Sequence, residues 1–233
     1  MNQGIDYFNR GHWLTGIQER LSVEARRKMF DLAMNKLDLR TGESIIDIGS
    51  TPDVERIDSN CMIPWFHEAG LTVALSSPED ISSLSQVFPF AKILSPNGFH
   101  RPILAKECEF DVATSSAVLE HCGSTHLQVE HIRECARVAS KIFLTTPNRW
   151  HWLEFHTKFP LIHWLPKSWH RFLLNIVGLS FWAKEDNLNL LGRAELLNLA
   201  KQALGDNFSI RVETIWALGM PSNLVLLARR IND

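Results

Sequence analysis

The sequence predicts an α/β protein with a doubly wound, mostly parallel seven-stranded sheet that ends in a C-terminal antiparallel hairpin. Short apolar strand patterns alternate with helical patterns through residues 22–148, which is typical of βαβ units. After a helical pattern at 192–204, two strand patterns follow with little between them. The intervening residues, 219–222, are few enough for a hairpin turn.

Each element has its own signal along the chain. The first helix is predicted at 22–38, where Ser22 can cap and an apolar stripe recurs at helical spacing. Short apolar runs of the kind buried in parallel sheets predict five strands, at 44–49, 71–76, 91–95, 109–116 and 140–147. Helices are predicted at 81–88, 126–139 and 192–204, and the last two strands at 208–218 and 223–230.

An insertion at 148–190 separates the fifth strand from the last helix, and it holds five of the eight tryptophans. Three interpretations remain open: a helical cap that buries its tryptophans against the sheet, a lid over an apolar or sugar substrate, or a surface helix at 167–184 for peripheral membrane contact. We expect one domain, 1–233, with an N-terminal helical segment at 1–40 and this insertion as a cap.

Composition narrows the class of protein. The 233 residues are 45% hydrophobic and 21% charged, with a net charge of −2, so we expect no nucleic-acid partner. No apolar run approaches the roughly 20 residues of a membrane span, and the N-terminus lacks the apolar core of a signal peptide. The four cysteines form no CxxC pair and the histidines no HExxH motif. We therefore expect a cytoplasmic protein with reduced thiols and no metal site.

The stretch DIGSTPD, residues 47–53, begins like a nucleotide-binding loop but lacks its later glycines. Asp47 and Gly49 are present, whereas Thr51 and Asp53 stand where further glycines are expected. A dinucleotide loop needs those glycines so that backbone amides can approach a pyrophosphate. The stretch therefore disfavours a nicotinamide dehydrogenase and suits a cofactor without phosphates, or a plain turn.

Later blocks carry a family resemblance that covers roughly residues 22–148. With DIG at 47–49, the chain has FDVATSSAVLEH at 110–121, then HIRECARV at 131–138 leading into KIFLTTPN at 141–148. In these blocks the chain resembles the class I S-adenosylmethionine-dependent methyltransferases, in particular the bacterial small-molecule branch. The resemblance implies a Rossmann-like methyltransferase fold, S-adenosylmethionine as cofactor, and transfer of a methyl group.

The resemblance also implies which loops contact the cofactor. The first loop would hold the methionine half, the second the ribose, the third the adenine, and the fourth the central atoms. The ribose contact departs from the family pattern, because the acid comes late; either Glu79 reaches back or the serines replace it, and Asp80 or Ser77 could merely cap a helix. Cofactor contacts are expected from Asp47, Gly49, Ser50, Ser76, Ser77, Glu79, Asn97, Gly98, Thr114, Ser115, Ser116 and His121.

The acceptor side is expected in the insertion. A hydroxyl acceptor benefits from a general base with a pKa near neutrality, and histidine is the natural choice. We expect His156 as that base with Glu154 or His151 as its orienting partner, while Asn148, Arg149 and His163 position substrate. The predicted function is methyl transfer to a small or lipid-linked acceptor, such as a sugar hydroxyl in surface-polysaccharide synthesis. The alternative is a non-catalytic methyltransferase-like binding or scaffold protein.

Overall fold

All seven predicted strands are present in the computed structural model, which describes residues 15–94 and 102–231. They form one sheet, with β1–β5 parallel and the last two strands antiparallel. The strands are β1 (Ser44–Ile48), β2 (Thr72–Ser76), β3 (Lys92–Ile93), β4 (Phe110–Ser116), β5 (Ala139–Pro147), β6 (Phe208–Ala217) and β7 (Met220–Arg230). Their order across the sheet is β3-β2-β1-β4-β5-β7-β6, so the predicted fold class is confirmed.

The helices differ from prediction mainly in length. The first one begins earlier than expected, the one predicted at 81–88 is a single turn, and α2 was not predicted. The helices are α1 (Thr15–Lys36), α2 (Met62–Glu68), α3 (Leu84–Val87), α4 (Thr125–Val138), α5 (Lys167–Ile176) and α6 (Arg193–Leu204).

Alternation along the strands gives the sheet two apolar faces. One side chain of each neighbouring pair packs on α1 and α2, and the other packs on α4 and α6, because successive strand residues point to opposite faces. Ile45, Val73 and Val112 belong to the first face, and Ile46, Ala74 and Ala113 to the second. Burial on both faces explains why these strands read as continuous apolar runs.

The strand order reverses at β1, which lies between β2 and β4. Asp47 near the end of β1 is in register with Thr114 on β4. Ligands in open α/β sheets bind beyond the carboxyl ends of the strands at this reversal, so the fold places the loops after β1 and β4 at the expected cofactor position.

The C-terminal hairpin turns earlier than predicted. Leu218 and Gly219 form the turn, whereas Met220, Pro221 and Ser222 already belong to β7. Pro221 sits near the start of the strand, where a missing N–H is tolerated. Three residues of the predicted break at 219–222 therefore belong to β7.

The insertion has a small apolar core of its own. Leu174, Trp182, Ala183, Leu188 and Leu190 are buried together, and α5 ends at Ile176 rather than continuing to 184. Of its five tryptophans only Trp182 is buried and the other four are exposed. The interpretation of the insertion as a cap that buries its tryptophans therefore holds for Trp182 alone. No helix among the described residues is both long and apolar enough to cross a membrane.

Candidate functional site

The Asp47 carboxylate lies near the end of β1, where a serine side chain contacts it. Ser50 Oγ donates a hydrogen bond to Asp47 Oδ2 at 2.6 Å, and Ser50 is itself buried. Burial raises the pKa of Asp47 to about 6, against the opposing effect of the Ser50 hydrogen bond. Because burial disfavours the ionised form of this carboxylate, a ligand that brings a positive charge to it stabilises that form.

Gly49 allows two loops to cross closely. Its φ is +94°, and a Cβ added there would lie 2.4 Å from Val118 Cγ2 in the loop after β4. Its N–H donates to the Ser76 carbonyl at 2.8 Å. The glycine is therefore required by chain geometry, and its amide hydrogen is already used within the protein.

Asn60, which was not among the predicted site residues, stabilises the rest of the loop after β1. Asn60 Nδ2 donates to the Thr51 carbonyl at 2.8 Å, and Thr51 N–H donates to Asn60 Oδ1 at 3.1 Å. Asn60 has a φ of +54°, a conformation that asparagine tolerates better than most residues. This paired amide contact holds the loop where further glycines are absent.

The loop after β2 forms two side-chain turns, and neither Ser77 nor Asp80 caps α3, whose N-cap residue is Ser83. Ser76 and Ser77 are buried, and Ser77 Oγ accepts the Glu79 N–H at 3.2 Å. Asp80 Oδ1 accepts the Ser82 N–H at 2.9 Å, as a turn-forming aspartate does. Glu79 remains half-buried beside the serines. The predicted adenine contacts Asn97 and Gly98 lie outside the described residues.

The three polar residues that end β4 have different surroundings. Thr114 is fully buried on the same face as Asp47, and within residues 15–94 and 102–231 its Oγ1 has no hydrogen-bond partner. Ser115 faces α4 instead, donating to the Ile48 carbonyl at 2.9 Å and lying 2.9 Å from His131 Nε2. Ser116 Oγ lies 3.0 Å from Thr145 Oγ1. Thr114 is thus the hydroxyl best placed for a ligand.

A buried polar cluster brings the insertion against the loop after β4. His156 Nδ1 lies 2.6 Å from Glu154 Oε1, and Glu154 also accepts the backbone N–H groups of His156 and Thr157. The ring centroids of His121 and His156 are 4.9 Å apart. Of the two orienting partners predicted for His156, the structure places Glu154 and not His151 in contact with it.

The charges in this cluster shift one another's pKa values. Burial raises the pKa of Glu154, but the charge and hydrogen bonds of His156 prevail and lower it to about 2. Burial lowers the pKa of His156, and Glu154 more than reverses this, so the net pKa is raised. Burial together with repulsion from His156 lowers the pKa of His121 to about 3. Two neighbouring histidines are therefore driven toward opposite protonation states.

Glu120 is the site residue that sequence reasoning left out of the predicted site. It is fully buried, and its Oε2 accepts a hydrogen bond from Thr146 Oγ1 at 2.9 Å. Burial raises the pKa of this carboxyl. Its position directly before His121 in the LEH block was a signal, but a glutamate at a helix start is usually exposed.

The other predicted acceptor residues tie the insertion to the sheet. Asn148 Nδ2 donates to the Pro221 carbonyl at 3.1 Å, and Arg149 donates to the carbonyls of His163 and Leu165. His163 Nε2 lies 2.6 Å from the His151 carbonyl. His151 itself is buried and stacks on Phe155. These contacts stabilise the insertion. The residues that make them are Asn148, Arg149, His151 and His163.

A basic recess lies beside these ties. Arg149, Lys167 and Arg171 line it together with His163 and His170. Glu195 lies 3.7 Å from Lys167 Nζ, and Glu185 lies 3.3 Å from Arg171 Nη2, so the cations are partly neutralised. The recess is small, with a volume of about 10 Å³, which corresponds to about one water molecule.

Comparison with protein-family models and with curated proteins found no match. Solved structures with the same fold are numerous. Magnesium protoporphyrin IX methyltransferase from Synechocystis PCC 6803, with bound SAH, is 15% identical over 97% of each chain, with a TM-score of 0.57. A 1,6-didemethyltoxoflavin-N1-methyltransferase from Burkholderia thailandensis, with bound S-adenosylhomocysteine, is 12% identical over 88% of this chain and 78% of that one, with a TM-score of 0.57.

A third chain, from Rhodobacter sphaeroides, is provisionally described as a Zn-dependent alcohol dehydrogenase. It is 9% identical with a TM-score of 0.61, and the match covers 87% of this chain and 89% of that one. The different activity in its description agrees with the rule that a fold alone does not fix function. At these identities the comparisons show the fold: this chain has the Rossmann-like fold of class I S-adenosylmethionine-dependent methyltransferases, as the resemblance implied.

Proposed function

We propose that this chain is an S-adenosylmethionine-dependent methyltransferase that acts on a hydroxyl group of a small or lipid-linked acceptor. The observation that carries the proposal is Asp47, a carboxylate with a raised pKa at the strand-order reversal of a methyltransferase sheet. Its position matches where the fold binds ligands, and its charge calls for a cationic ligand. The proposal also draws on two fold neighbours whose descriptions include bound S-adenosylhomocysteine.

The residues at this edge fit that cofactor. Asp47 would bind the ammonium of its amino-acid part, and Thr114 Oγ1 offers a buried hydroxyl without a partner among the described residues. Ser76, Ser77 and Glu79 are the candidates for the ribose hydroxyls. When bound, the cofactor supplies an electrophilic methyl group, so holding the acceptor in line provides much of the catalysis.

The acceptor hydroxyl would meet the cofactor at the cluster around His156. Glu154 fixes the ring of His156 and keeps its basicity high, which suits a group that acts on a hydroxyl proton near neutral pH. His121 and Glu120 lie beside it. Glu120, Glu154 and His156 are buried, so their charges act with little screening by water.

A lipid-linked acceptor agrees with the surface of α5. Trp169, Phe172 and Ile176 recur at helical spacing and are 62%, 57% and 64% exposed. Lys167 and Arg171 lie on the same helix, a combination suited to the headgroup region of an anionic bilayer. We propose that this face rests on such a bilayer and that the acceptor is lipid-linked, as in the lipid-linked sugars of surface-polysaccharide synthesis.

Cofactor binding is the direct test of the function. Isothermal titration with S-adenosylhomocysteine should show one site, and Asp47→Ala should weaken it about 10- to 100-fold, as expected for loss of a charged hydrogen bond. Asp31→Asn, an exposed acid on α1, is the matched control and should leave affinity unchanged. Absence of binding to folded wild-type protein would favour a non-catalytic scaffold instead.

Vesicle binding tests the membrane proposal separately. The protein should sediment with vesicles that contain phosphatidylglycerol more than with phosphatidylcholine alone. The double variant Trp169→Ser, Phe172→Ser should lose this binding. Trp216→Ser on β6, which removes an equally exposed tryptophan elsewhere, should retain it. Equal loss in both variants would refute a role for this face.

A further inference from the structure

We propose that Glu120, His121 and His156 bind a divalent transition-metal ion of the zinc class. One ligand atom from each of the three residues lies within 4.8 Å of the others. Tetrahedral zinc holds such donor atoms about 3.3 Å apart, so small side-chain rotations would close the site. We call these residues the three-ligand cluster.

Glu120 supplies the first independent sign of a cation. Its Oε1 is buried and, among the residues that the structure describes, accepts no hydrogen bond. His121 Nε2 lies 4.0 Å from this oxygen, beyond hydrogen-bonding distance. A buried carboxylate oxygen without a donor is costly, and an ion is one of the few groups that would satisfy it.

Both histidines are held in the orientation that metal ligands adopt. His121 Nδ1 lies 2.7 Å from the Asn187 carbonyl, which can only accept, so Nδ1 carries the hydrogen and Nε2 is the coordinating nitrogen. His156 Nδ1 lies 2.6 Å from Glu154 Oε1 and is fixed in the same way. Metal-bound histidines almost always donate their second N–H to a carbonyl or carboxylate.

The donor set selects the kind of metal. Two imidazoles with one carboxylate suit zinc and its neighbours, whereas magnesium and calcium prefer oxygen ligands alone. Three protein ligands also leave a coordination position open, as in catalytic zinc sites. The Trp182 ring covers one side, with its centroid 5.0 Å from that of His156 and 6.2 Å from that of His121.

The role of this ion rests on the proposed function, although its binding does not. A hydroxyl oxygen of the acceptor would occupy the open position, and the cation would lower the pKa of that hydroxyl so that its proton passes to water. His156 would then act on the acceptor through the ion and not by taking the proton itself. The loop after β4 and the insertion each contribute ligands, so the ion would join them.

The competing account needs no metal. A protonated His156 between Glu154 and Glu120 would balance charge with a proton where we place an ion. The two accounts differ in what Glu120→Gln does. If the cluster binds a metal, Glu120→Gln removes a ligand and abolishes stoichiometric metal binding. If His156 is instead protonated, neither the wild type nor the variant binds a metal.

The test uses the full chain, stripped with chelator and then titrated with Co²⁺ and Zn²⁺. We expect one equivalent of Co²⁺ with the visible absorption of a low-coordinate site, displaced by Zn²⁺. Glu120→Gln and His156→Gln should each abolish the absorption, and Glu154→Gln should weaken binding about 10- to 100-fold. His170→Gln, which removes a buried histidine outside the cluster, is the matched control.

Circular dichroism must show that each variant is folded. If Glu120→Gln does not fold, His156→Gln provides the test of the metal site. No stoichiometric Co²⁺ binding by the wild type, or binding unchanged in both ligand variants, overturns the proposal. S-Adenosylhomocysteine titration separates the two hypotheses. Cofactor binding without metal binding refutes the metal site alone, and metal binding without cofactor binding refutes the methyltransferase alone.

Discussion

Replacing Asp47 with asparagine should stabilise the ligand-free protein at neutral and alkaline pH. Burial raises the folded-state pKa of Asp47 from 3.8 to about 6, so the folded protein holds this proton more tightly than the unfolded chain. The stability it contributes is fully present below pH about 4 and is lost as the pH rises through 6. At 1.36 kcal/mol per pKa unit, the ionised carboxylate costs about 3 kcal/mol of unfolding free energy at pH 8.

Asparagine keeps the acceptor for Ser50 Oγ and removes the charge. Urea unfolding at a series of pH values should therefore show Asp47→Asn more stable than wild type at pH 8, with an advantage that shrinks toward pH 4. Asp58→Asn is the matched control: this buried acid pairs with Arg26 and Arg56, so its loss should destabilise the protein. A variant no more stable than wild type at pH 8, or an advantage independent of pH, would refute the reasoning.

Contacts in the candidate site give three further predictions. Gly49→Ala should destabilise by more than about 1 kcal/mol, because its φ is +94° and the new Cβ would meet Val118; adding Val118→Ala should recover part of the loss in a double-mutant cycle. Asn60→Ala should cost about 1–3 kcal/mol in urea unfolding by breaking both contacts with Thr51, and a neutral result would contradict the bracing role. In chelator-treated protein, the NMR titration of His156 should move to lower pH in Glu154→Gln; an unmoved midpoint would count against the pair.

The fold could be predicted because its signals are local. Each strand carries a short apolar run, and the sheet buries both faces of those runs. The position of α2 at Met62–Glu68 could not be predicted, since a long loop precedes it and seven residues give only two turns of pattern. The hairpin turn was misplaced because Pro221 looked like a turn residue, although proline is tolerated at a strand start.

The candidate site was predictable only in part. Asp47 and Gly49 follow a strand directly, so the topology of an α/β sheet fixes their place. His156 and His121 are 35 positions apart in the sequence, and they meet because of how the insertion folds back, a path that no periodicity encodes. The three-ligand cluster could not be predicted for the same reason. Its members lack the local spacing of metal-binding motifs, so we expected no metal site. The expected roles of Asn97 and Gly98 stay predictions.

The insertion has an apolar core of its own. The part of the candidate site that it carries therefore depends on how firmly the insertion is held against the rest of the fold. Leu174, Trp182 and their neighbours form a buried cluster of their own. Hydrogen bonds of Gln128 and Asn189 fasten that unit to the loop after β4, and Asn148 ties the start of the insertion to β7. A unit attached this way can open locally at a free-energy cost well below that of global unfolding. The sheet and the Asp47 edge would survive such an opening intact, while His156 left His121. Opening of the insertion would thus displace the proposed acceptor residues and leave the proposed cofactor contact of Asp47 in place.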